Sequence, residues 1–258
     1  RFFSPDLANA ITSFGQQTLA WTCESFEAEG LPVIYGDTDS VFVKLPDGDI
    51  ERAGHLAEEM RVRVAAGIAD RIRQEYDVEA QLDLELEKVF ARFFLPRVRG
   101  GTGGSKKRYA GWIIEEDVGR LEVVGLESVR RDWPAVAQRL QEGMLSRLFQ
   151  DQAIMPFAQE IVERVRSGEL DKELVYAKRI RKGSLDRYTA SSPPHIQAAR
   201  KLEERSDHKI RGVIRYMITS RGPEPVLPGE PLPLDIDRSH YLERVLRPIA
   251  ETILSEQG

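Results

Sequence analysis

The chain has 258 residues, of which 41% are hydrophobic and 31% are charged, and its formal net charge is −5 at pH 7. This length and composition predict a soluble globular protein with one large or two small domains. No run of 18 apolar residues is present, which argues against a membrane span, and no signal peptide is visible. The single cysteine, Cys23, cannot form an internal disulfide, which suits a reducing cytosol and excludes a cysteine-based zinc framework.

Charge is segregated along the chain. Residues 176–215 hold eleven Lys/Arg against four Asp/Glu, and residues 92–131 hold nine against five. Residues 70–87 hold seven acids against two bases. Basic surfaces beside an acidic pocket suit a phosphate-binding protein that uses a metal. Taken alone, however, such runs are more commonly solvated helix faces.

The first elements predicted are a long helix and a hairpin. Ser4-Pro5-Asp6 is typical of a helix start, and Gly30 is typical of a helix end. The β-rich residues 33–36 and 40–45 flank Asp37-Thr38-Asp39, and they predict a hairpin with the two acids at its tip. The apolar residues that approximate one stripe of the helix are Leu7, Ile11, Phe14, Leu19 and Phe26.

Residues 49–75 return to helical spacing and predict a second helix. LDLELEKVF, residues 82–90, alternates apolar and acidic residues with period two, which predicts a half-buried strand. FFLPRV, KKRYAGWII and RLEVVGL continue the β pattern to Leu126, with the loop GGTGGS before the second of them. That loop is not a Walker A phosphate loop, because Ser105 separates Gly104 from Lys106.

From Trp133 the pattern becomes mainly helical. Helices are predicted for WPAVAQRLQEGMLSRLF, MPFAQEIVERVRSGEL, DKELVYAKRI (residues 171–180) and PHIQAARKLEER. One strand, GVIRYMITS, and a proline-rich loop over residues 223–233 precede a last helix, YLERVLRPIAETIL. The predicted fold class is α+β, with an antiparallel sheet and packed helices in residues 1–129 and a mainly α-helical domain in residues 130–258.

Asp37 and Asp39 are the candidate catalytic and metal-binding residues. In an extended strand, residues two apart point to the same side, so their carboxylates are expected to project together. Convergent carboxylates repel unless a cation lies between them, and hard oxygen ligands favour Mg²⁺ that is completed by substrate phosphates. Asp is also common in turns, so Asp-Thr-Asp alone is a weak signal. The flanking Tyr-Gly and Ser-Val-Phe-Val make the motif much more specific.

Several motifs resemble those of family B DNA polymerases, in that family's order. YGDTDS resembles its C motif, LELEK (residues 84–88) its acidic palm strand, and GSKKRYAG (residues 104–111) its lysine–tyrosine motif. RFFSPDLANAITSFGQQTL resembles the helix after its nucleotide-binding B motif, and GLESVRRDWP resembles its palm-to-thumb junction. PPHIQAAR and YMITSRGPEP resemble thumb segments of its bacterial polymerase II branch. The resemblance covers essentially the whole chain, and it implies a palm over residues 1–129 and a thumb over residues 130–258.

This resemblance implies a DNA-directed DNA polymerase that adds dNTPs to a primer 3′-OH, with a role in replication or repair. In two-metal catalysis, one Mg²⁺ ion activates the attacking oxygen and the other shields the leaving group. Asp39 would bind the metals directly, and Asp37 would shape the site. Glu85 and Glu87 share one face of their predicted strand, and either of them could be a further acid near the metals or could face solvent.

The resemblance also implies DNA contacts. Lys107 and Tyr109 would contact the primer-terminal duplex, with little dependence on base identity because the minor-groove code is degenerate. Lys106 and Arg108 would point the other way, towards phosphates or palm acids. In the basic second half, phosphate contacts should weaken steeply with salt. The thumb candidates for these contacts are Lys178, Arg179, Arg181, Lys182, Arg200, Lys201 and Arg211.

Several parts of the implied enzyme are missing from this sequence. They are the A motif with the other catalytic aspartate, the B motif, the exonuclease acids and a tail that could bind a sliding clamp. The implied partners are therefore primer–template DNA, dNTP and the remaining palm, fingers and exonuclease regions of a longer parent, with no membrane. The implied location is the bacterial cytoplasm, at the nucleoid. Alone, the chain is expected to be inactive, because half of a carboxylate clamp binds Mg²⁺ poorly.

Two other functions stay open at this point. A D-x-D glycosyltransferase, using Mn²⁺ or Mg²⁺ on a nucleotide-sugar diphosphate, explains the acids but not KKRY or the basic helical half. A non-catalytic DNA-binding subunit of a split polymerase is chemically the same piece. Tight binding of a nucleotide sugar would favour the first alternative, and the length of the encoding reading frame would separate the second from a polymerase fragment.

Overall fold

The structure is a computed structural model that describes residues 4–46, 50–97, 107–115, 118–181, 185–189, 192–206 and 209–255. The chain divides into two compact units. The first unit comprises Arg1–Phe93, Arg97–Lys107 and Ile113–Arg120. The second unit comprises Phe94–Pro96, Arg108–Trp112 and Leu121–Gly258. None of the described helices is long and apolar enough to cross a membrane.

Helix α1, Pro5–Ala28, has the ends that the sequence predicts. The Ser4 side chain caps the first turn. At the other end Gly30 has a φ of +79°, and the Leu31 N–H donates a 3.0 Å hydrogen bond to the Phe26 carbonyl. This left-handed cap satisfies a terminal carbonyl of the helix and turns the chain towards the first strand.

The first unit has a small core between two helices. Helix α2, Ile50–Tyr76, packs on α1 through Trp21, Val64 and Ile68, which are all buried. The apolar stripe predicted for α1 is only partly buried, because the side chains at its N-terminal end stay exposed. Their exposed fractions are 62% for Leu7, 65% for Ile11 and 49% for Phe14.

The predicted hairpin is present in the first unit. Strands β1, Val33–Asp37, and β2, Ser40–Val43, are antiparallel, with Tyr35 opposite Phe42. The Phe42 ring centroid lies 5.4 Å from that of Tyr35 and 5.1 Å from that of Phe93. These aromatic contacts hold the hairpin against the chain near residue 93.

The strand predicted for residues 82–90 is wrong, since the structure has no strand among residues 77–91, all of which it describes. Leu82 and Leu86 are 42% and 39% exposed, and of these three alternating leucines only Leu84 packs against the core of α1 and α2. The Leu84 carbonyl accepts a 2.7 Å hydrogen bond from the Arg61 guanidinium of α2. Alternation determines which side chains share a face, but a strand also needs a neighbour that pairs with its backbone.

Three further strands confirm the β pattern that precedes Leu126. They form one sheet in the order β3–β4–β5, and they are Arg92–Phe94, Tyr109–Glu115 and Val118–Val124. The boundary between the two units passes through these strands. The GGTGGS loop and Lys106 lie outside the described residues.

The second unit contains most of the helices. They are α3 (Ala135–Phe149), α4 (Ile154–Arg166), α5 (Pro194–Arg205), α6 (Arg238–Tyr241) and α7 (Arg247–Leu254), with a π-helical turn, Leu242–Leu246, before α7. The largest fully buried side chains of its main core cluster are Leu126, Leu140, Met144, Leu145, Ile161, Leu174, Met217, Tyr241, Leu246 and Ile249.

The helix predicted over residues 171–180 is wrong. Tyr176–Arg179 is strand β6, which pairs antiparallel with β7, Val213–Thr219; β7 pairs in turn with β8, Gly222–Pro225. The Tyr176 and Tyr216 rings stack across β6 and β7, with centroids 5.2 Å apart. Such cross-strand pairing overrides local helix propensity. With these sheets and helices, the α+β class is confirmed.

Candidate functional site

The two aspartates of YGDTDS lie at the tip of the β1–β2 hairpin. Asp37 ends β1, and Thr38-Asp39 form the two-residue turn before Ser40 begins β2. Thr38 has a φ of +59°, and the Asp39 N–H donates to the Asp37 carbonyl at 2.6 Å. The expectation of an extended segment through Asp39 is therefore wrong, because the chain reverses at Thr38 in a three-residue γ-turn.

The turn at Thr38 is strained. A β-branched residue rarely adopts a positive φ, and such a backbone costs about 1–3 kcal/mol. The turn is fastened by the pairing of Asp37 with Ser40 across the hairpin. The Thr38 hydroxyl also donates a 3.2 Å hydrogen bond to Asp37 Oδ1. The contacts of the hairpin thus hold the Thr38 backbone in its positive-φ conformation.

The two carboxylates at the tip have different surroundings. The Asp37 side chain is 21% exposed, and its Oδ2 lies 3.5 Å from the Lys107 ammonium. Asp39 is exposed, and within the part of the chain that the structure describes its carboxylate has no hydrogen-bond or ion-pair partner. One carboxylate therefore has an internal counter-ion, while the other is open to solvent.

Lys107 is attached to β1 by a second contact. Its backbone N–H donates a 2.5 Å hydrogen bond to the Tyr35 hydroxyl, from 72 residues along the chain. Lys107 also has a φ of +57°, which is uncommon for a residue with a side chain. The YGDTDS and KKRY motifs, which are far apart in the sequence, therefore meet at this lysine.

Arg108, the next residue of KKRY, is engaged within the second unit. Its Nη2 pairs with the carboxylate of Glu127, whose Oε2 accepts a 2.9 Å hydrogen bond from Gln141 Nε2 on α3. Gln141 is buried, and its Oε1 accepts a 2.7 Å hydrogen bond from the Ser128 N–H. A phosphate or an acid was predicted as the partner of Arg108, and in the structure the partner is an acid, Glu127. Tyr109, the residue after it, begins β4 and is half-buried.

Glu85 and Glu87 are both exposed. Hydrogen bonding to Glu58 raises the pKa of Arg61, and the nearby charge of Glu85 raises it further. No three His, Cys, Asp or Glu side chains of the described residues come together in a way that could hold a metal ion. Glu87 instead lines an open cavity of about 310 Å³, whose other charged lining residues are Glu51, Lys88 and Glu115.

Three of the basic thumb candidates are engaged with other groups of the second unit. Lys201 Nζ lies 2.5 Å from Glu224 Oε1. Arg200 donates 3.1 Å hydrogen bonds to the Ser192 hydroxyl and the Tyr188 carbonyl. Lys178 forms a looser 3.8 Å ion pair with Asp132. The partners of Lys201 and Arg200 limit how freely these two side chains can turn to a phosphate.

Three of the other candidates of this group have exposed side chains. Arg179 lies at the end of β6 opposite Val213, and Arg181 and Arg211 are exposed close to the ends of these two strands. Lys182 lies outside the described residues. Arg215, which the sequence analysis missed, lies on β7 opposite Ala177 and is also exposed.

Comparison with known proteins decides the family. A sequence model described as DNA polymerase family B matches residues 1–254. The chain belongs to DNA polymerase family B. It is similar to DNA polymerase II of Escherichia coli, with 41% identity over 262 residues, which cover 98% of this chain and 33% of that protein. This membership confirms the resemblance and argues against the glycosyltransferase alternative.

Two archaeal relatives agree with the family assignment. A DNA polymerase of Thermococcus kodakarensis is 29% identical and covers all of this chain, but the match spans 15% of that protein. The solved family B DNA polymerase from Pyrobaculum calidifontis has a TM-score of 0.61 and 25% identity, over 98% of this chain and 30% of that one. The family B chain thus spans about a third or less of the length of these relatives.

Two of the side chains that sequence analysis missed left a signal in the sequence. Gln141 is a polar residue among the buried apolar positions of α3, and a buried amide requires a hydrogen-bond partner. Arg215 lies between Ile214 and Tyr216 on a strand with alternating burial, so it was predictable as an outward-facing base. The partner of Arg108 left no such signal, because Glu127 is one acid among many.

Proposed function

We propose that this chain is the palm and thumb part of a DNA-directed DNA polymerase, which adds nucleotides from dNTPs to a primer 3′-OH. The observation that carries the proposal is the YGDTDS hairpin of a family B chain, whose tip presents the exposed Asp39 beside Asp37. The palm is assigned to residues 1–129 and the thumb to residues 130–258. The similarity to DNA polymerase II supports a role in bacterial replication or repair, in the cytoplasm at the nucleoid.

The hairpin tip fits one side of a Mg²⁺ site. Its two carboxylates are the hard oxygen donors that Mg²⁺ prefers, and the Asp39 carboxylate is accessible. When bound, two Mg²⁺ ions would activate the attacking hydroxyl and shield the charge of the leaving diphosphate. Two carboxylates are fewer oxygen donors than Mg²⁺ takes, so waters, dNTP phosphates and further acids would supply the rest. Glu85 or Glu87 is proposed as one of these further acids.

The basic residues are proposed to position the DNA. Lys107 and Tyr109 contact the primer-terminal duplex and Lys106 serves phosphates or palm acids, whereas Arg108 orders the start of β4 through its pair with Glu127. In the thumb, the exposed bases hold phosphates of the duplex without reading its sequence. We assign this role first to Arg179, Arg181 and Arg211, with Lys178 and Lys182 next and the engaged Arg200 and Lys201 last.

The remaining partners belong to a longer parent chain. That parent supplies the other catalytic aspartate, the fingers and the exonuclease region, and a tail beyond the thumb binds a sliding clamp. This chain alone is therefore inactive, because it holds only the hairpin side of the carboxylate clamp. If a separate chain in the cell supplied these parts, this chain would be one subunit of a split polymerase.

Mg²⁺-dependent primer extension tests this proposal. One reaction contains the chain alone, and another contains the chain mixed with the remaining palm and fingers region of its parent polymerase. Extension in the mixture only is the expected result. Extension by the chain alone would overturn the proposed inactivity. Primer–template binding at low salt without extension in either reaction would leave a non-catalytic DNA-binding subunit.

A further inference from the structure

The Lys107 ammonium has one anionic partner in the structure and a second one in the proposed function. In the structure its ammonium lies 3.5 Å from Asp37 Oδ2, so it faces a carboxylate of the hairpin tip. The proposed function gives the same ammonium a second partner, the primer-terminal duplex. One compact ammonium at the end of a flexible stem can neutralise only one of these groups closely at a time.

The geometry keeps Lys107 beside the tip whichever partner its side chain takes. Its backbone is hydrogen-bonded to the Tyr35 hydroxyl at 2.5 Å, and Tyr35 lies on β1 two residues before Asp37. The structure holds the side chain itself only weakly, because it is 69% exposed and its ion pair with Asp37 is 3.5 Å long. The backbone anchor and the loose ammonium are therefore separate features of this residue.

We propose that Lys107 is an exchangeable counter-ion of Asp37, which the primer terminus withdraws so that the hairpin tip gains affinity for a divalent cation. Without DNA, the ammonium offsets part of the negative charge of Asp37 and weakens cation binding there. With DNA bound, the ammonium moves to the duplex and the carboxylate becomes available as a second anionic group beside Asp39. This inference rests on the proposed function and adds a coupling between its DNA and metal sites.

The coupling is reciprocal and small. The Lys107–Asp37 ion pair is exposed to solvent and therefore weak. Removal of the Lys107 ammonium should thus tighten cation binding at the tip by about two- to fivefold. By linkage, a cation at the tip should release Lys107 to the DNA and tighten primer–template binding by the same factor. Metal loading would thereby be favoured where a primer end is present.

Mn²⁺ binding to the full-length polymerase that carries this chain provides the test. Electron paramagnetic resonance of free Mn²⁺ gives the affinity, with and without a saturating primer–template that ends in a 3′-deoxy primer, and without dNTP. The variants are Lys107→Met, which removes the ammonium, and Lys107→Arg, which keeps a cation. Lys44→Met is the matched control, because Lys44 follows β2 at the end of the same hairpin opposite the tip.

Without DNA, Lys107→Met should bind Mn²⁺ about two- to fivefold more tightly than the wild type, while Lys107→Arg and Lys44→Met should match it. The factor by which DNA tightens Mn²⁺ binding should be smaller in Lys107→Met than in the wild type by the same ratio. An unchanged Mn²⁺ affinity in Lys107→Met, or an unchanged DNA effect, would overturn the inference.

Asp39→Asn separates failure of this inference from failure of the proposed function. If Asp39→Asn weakens Mn²⁺ binding but Lys107→Met changes nothing, the tip is a metal site and only the counter-ion role is wrong. If Asp39→Asn also leaves every Mn²⁺ affinity unchanged, the metal does not bind at the tip, and both the inference and the proposed metal site fail.

Discussion

The two units of the chain differ in how much apolar surface they bury. The second unit has an extensive core in which many large side chains are fully buried. In the first unit the helix–helix core consists of Trp21, Val64 and Ile68, while several large apolar side chains of that unit stay exposed. These exposed residues include Leu7, Ile11, Phe14, Val62, Val78, Leu82 and Leu86.

The difference predicts that the candidate site residues lie on the less stable part of the chain. Buried apolar area is the main source of folding free energy, so the second unit should fold more firmly than the first. The hairpin that carries Asp37 and Asp39 belongs to the first unit, and all four residues of its second strand are only half-buried. Stability and proposed catalysis can therefore be tested separately, by substitutions in different units.

The largest effect is expected for a core substitution in the second unit. Leu140 is 1% exposed, and Leu140→Ala should cost about 2–5 kcal/mol of unfolding free energy, because it leaves a cavity. Leu86→Ala in the first unit should cost less than about 0.5 kcal/mol, because Leu86 is 39% exposed. Urea unfolding followed by circular dichroism measures both. Equal losses would contradict the difference in burial between Leu140 and Leu86.

The next effect concerns activity at the hairpin tip. In the full-length polymerase, Asp39→Asn should slow primer extension by at least about 100-fold, since it removes a proposed metal ligand. It should change the unfolding free energy by less than about 0.5 kcal/mol, because the carboxylate is exposed. Asp70→Asn, an exposed carboxylate of α2, is the matched control and should retain activity. A Mg²⁺-dependent rate unchanged by Asp39→Asn would remove the tip from the active site.

A smaller effect distinguishes an internal cation from a DNA-binding cation. Arg108→Ala leaves the Glu127 carboxylate, which is 18% exposed, without its cation, and should cost about 1–3 kcal/mol of unfolding free energy. It should leave unchanged the slope of log K against log salt for primer–template binding. Arg179→Ala should instead reduce that slope by about 0.9 without loss of stability. If the two variants exchanged these behaviours, the assignment of the two arginines would be reversed.

The smallest effect is a pH dependence within the second unit. Burial raises the pKa of Glu224, but hydrogen bonds from Lys201 and Arg205 outweigh it and hold the pKa below its ordinary value of 4.5. The stabilisation from this carboxylate is therefore present above about pH 4.5 and is lost as the pH falls through the lower folded-state pKa.

Glu224→Gln tests this dependence. The variant should lose about 1 kcal/mol of unfolding free energy at pH 7, where the carboxylate is charged, and should approach the wild type at strongly acidic pH. Urea unfolding at both pH values gives the comparison. Glu204→Gln on α5 is the matched control, because the Glu204 side chain is exposed. A loss that is the same at both pH values would contradict the role of the Glu224 charge.

Local signals in the sequence determined the ends of several elements. Ser4-Pro5 and Gly30 marked both ends of α1, because capping depends on residues that are adjacent in the chain. Helix α5, Pro194–Arg205, has the predicted bounds, and the β1–β2 hairpin forms where β-rich runs flank Asp37-Thr38-Asp39. The family B motifs likewise identified the tip acids, since YGDTDS is contiguous.

Tertiary structure decided what depends on partners far along the chain. Residues 82–90 alternate like a strand but form no strand in the structure, which describes all of them. Residues 171–180 have the local pattern of a helix, but Tyr176–Arg179 form a strand because they pair with β7. The pairs Lys107–Asp37 and Arg108–Glu127 also join residues that no local pattern connects. The sequence therefore determined which chemical groups this protein has. The fold decided which of its charges are neutralised internally, because ion pairs depend on distance in space and not on separation along the chain.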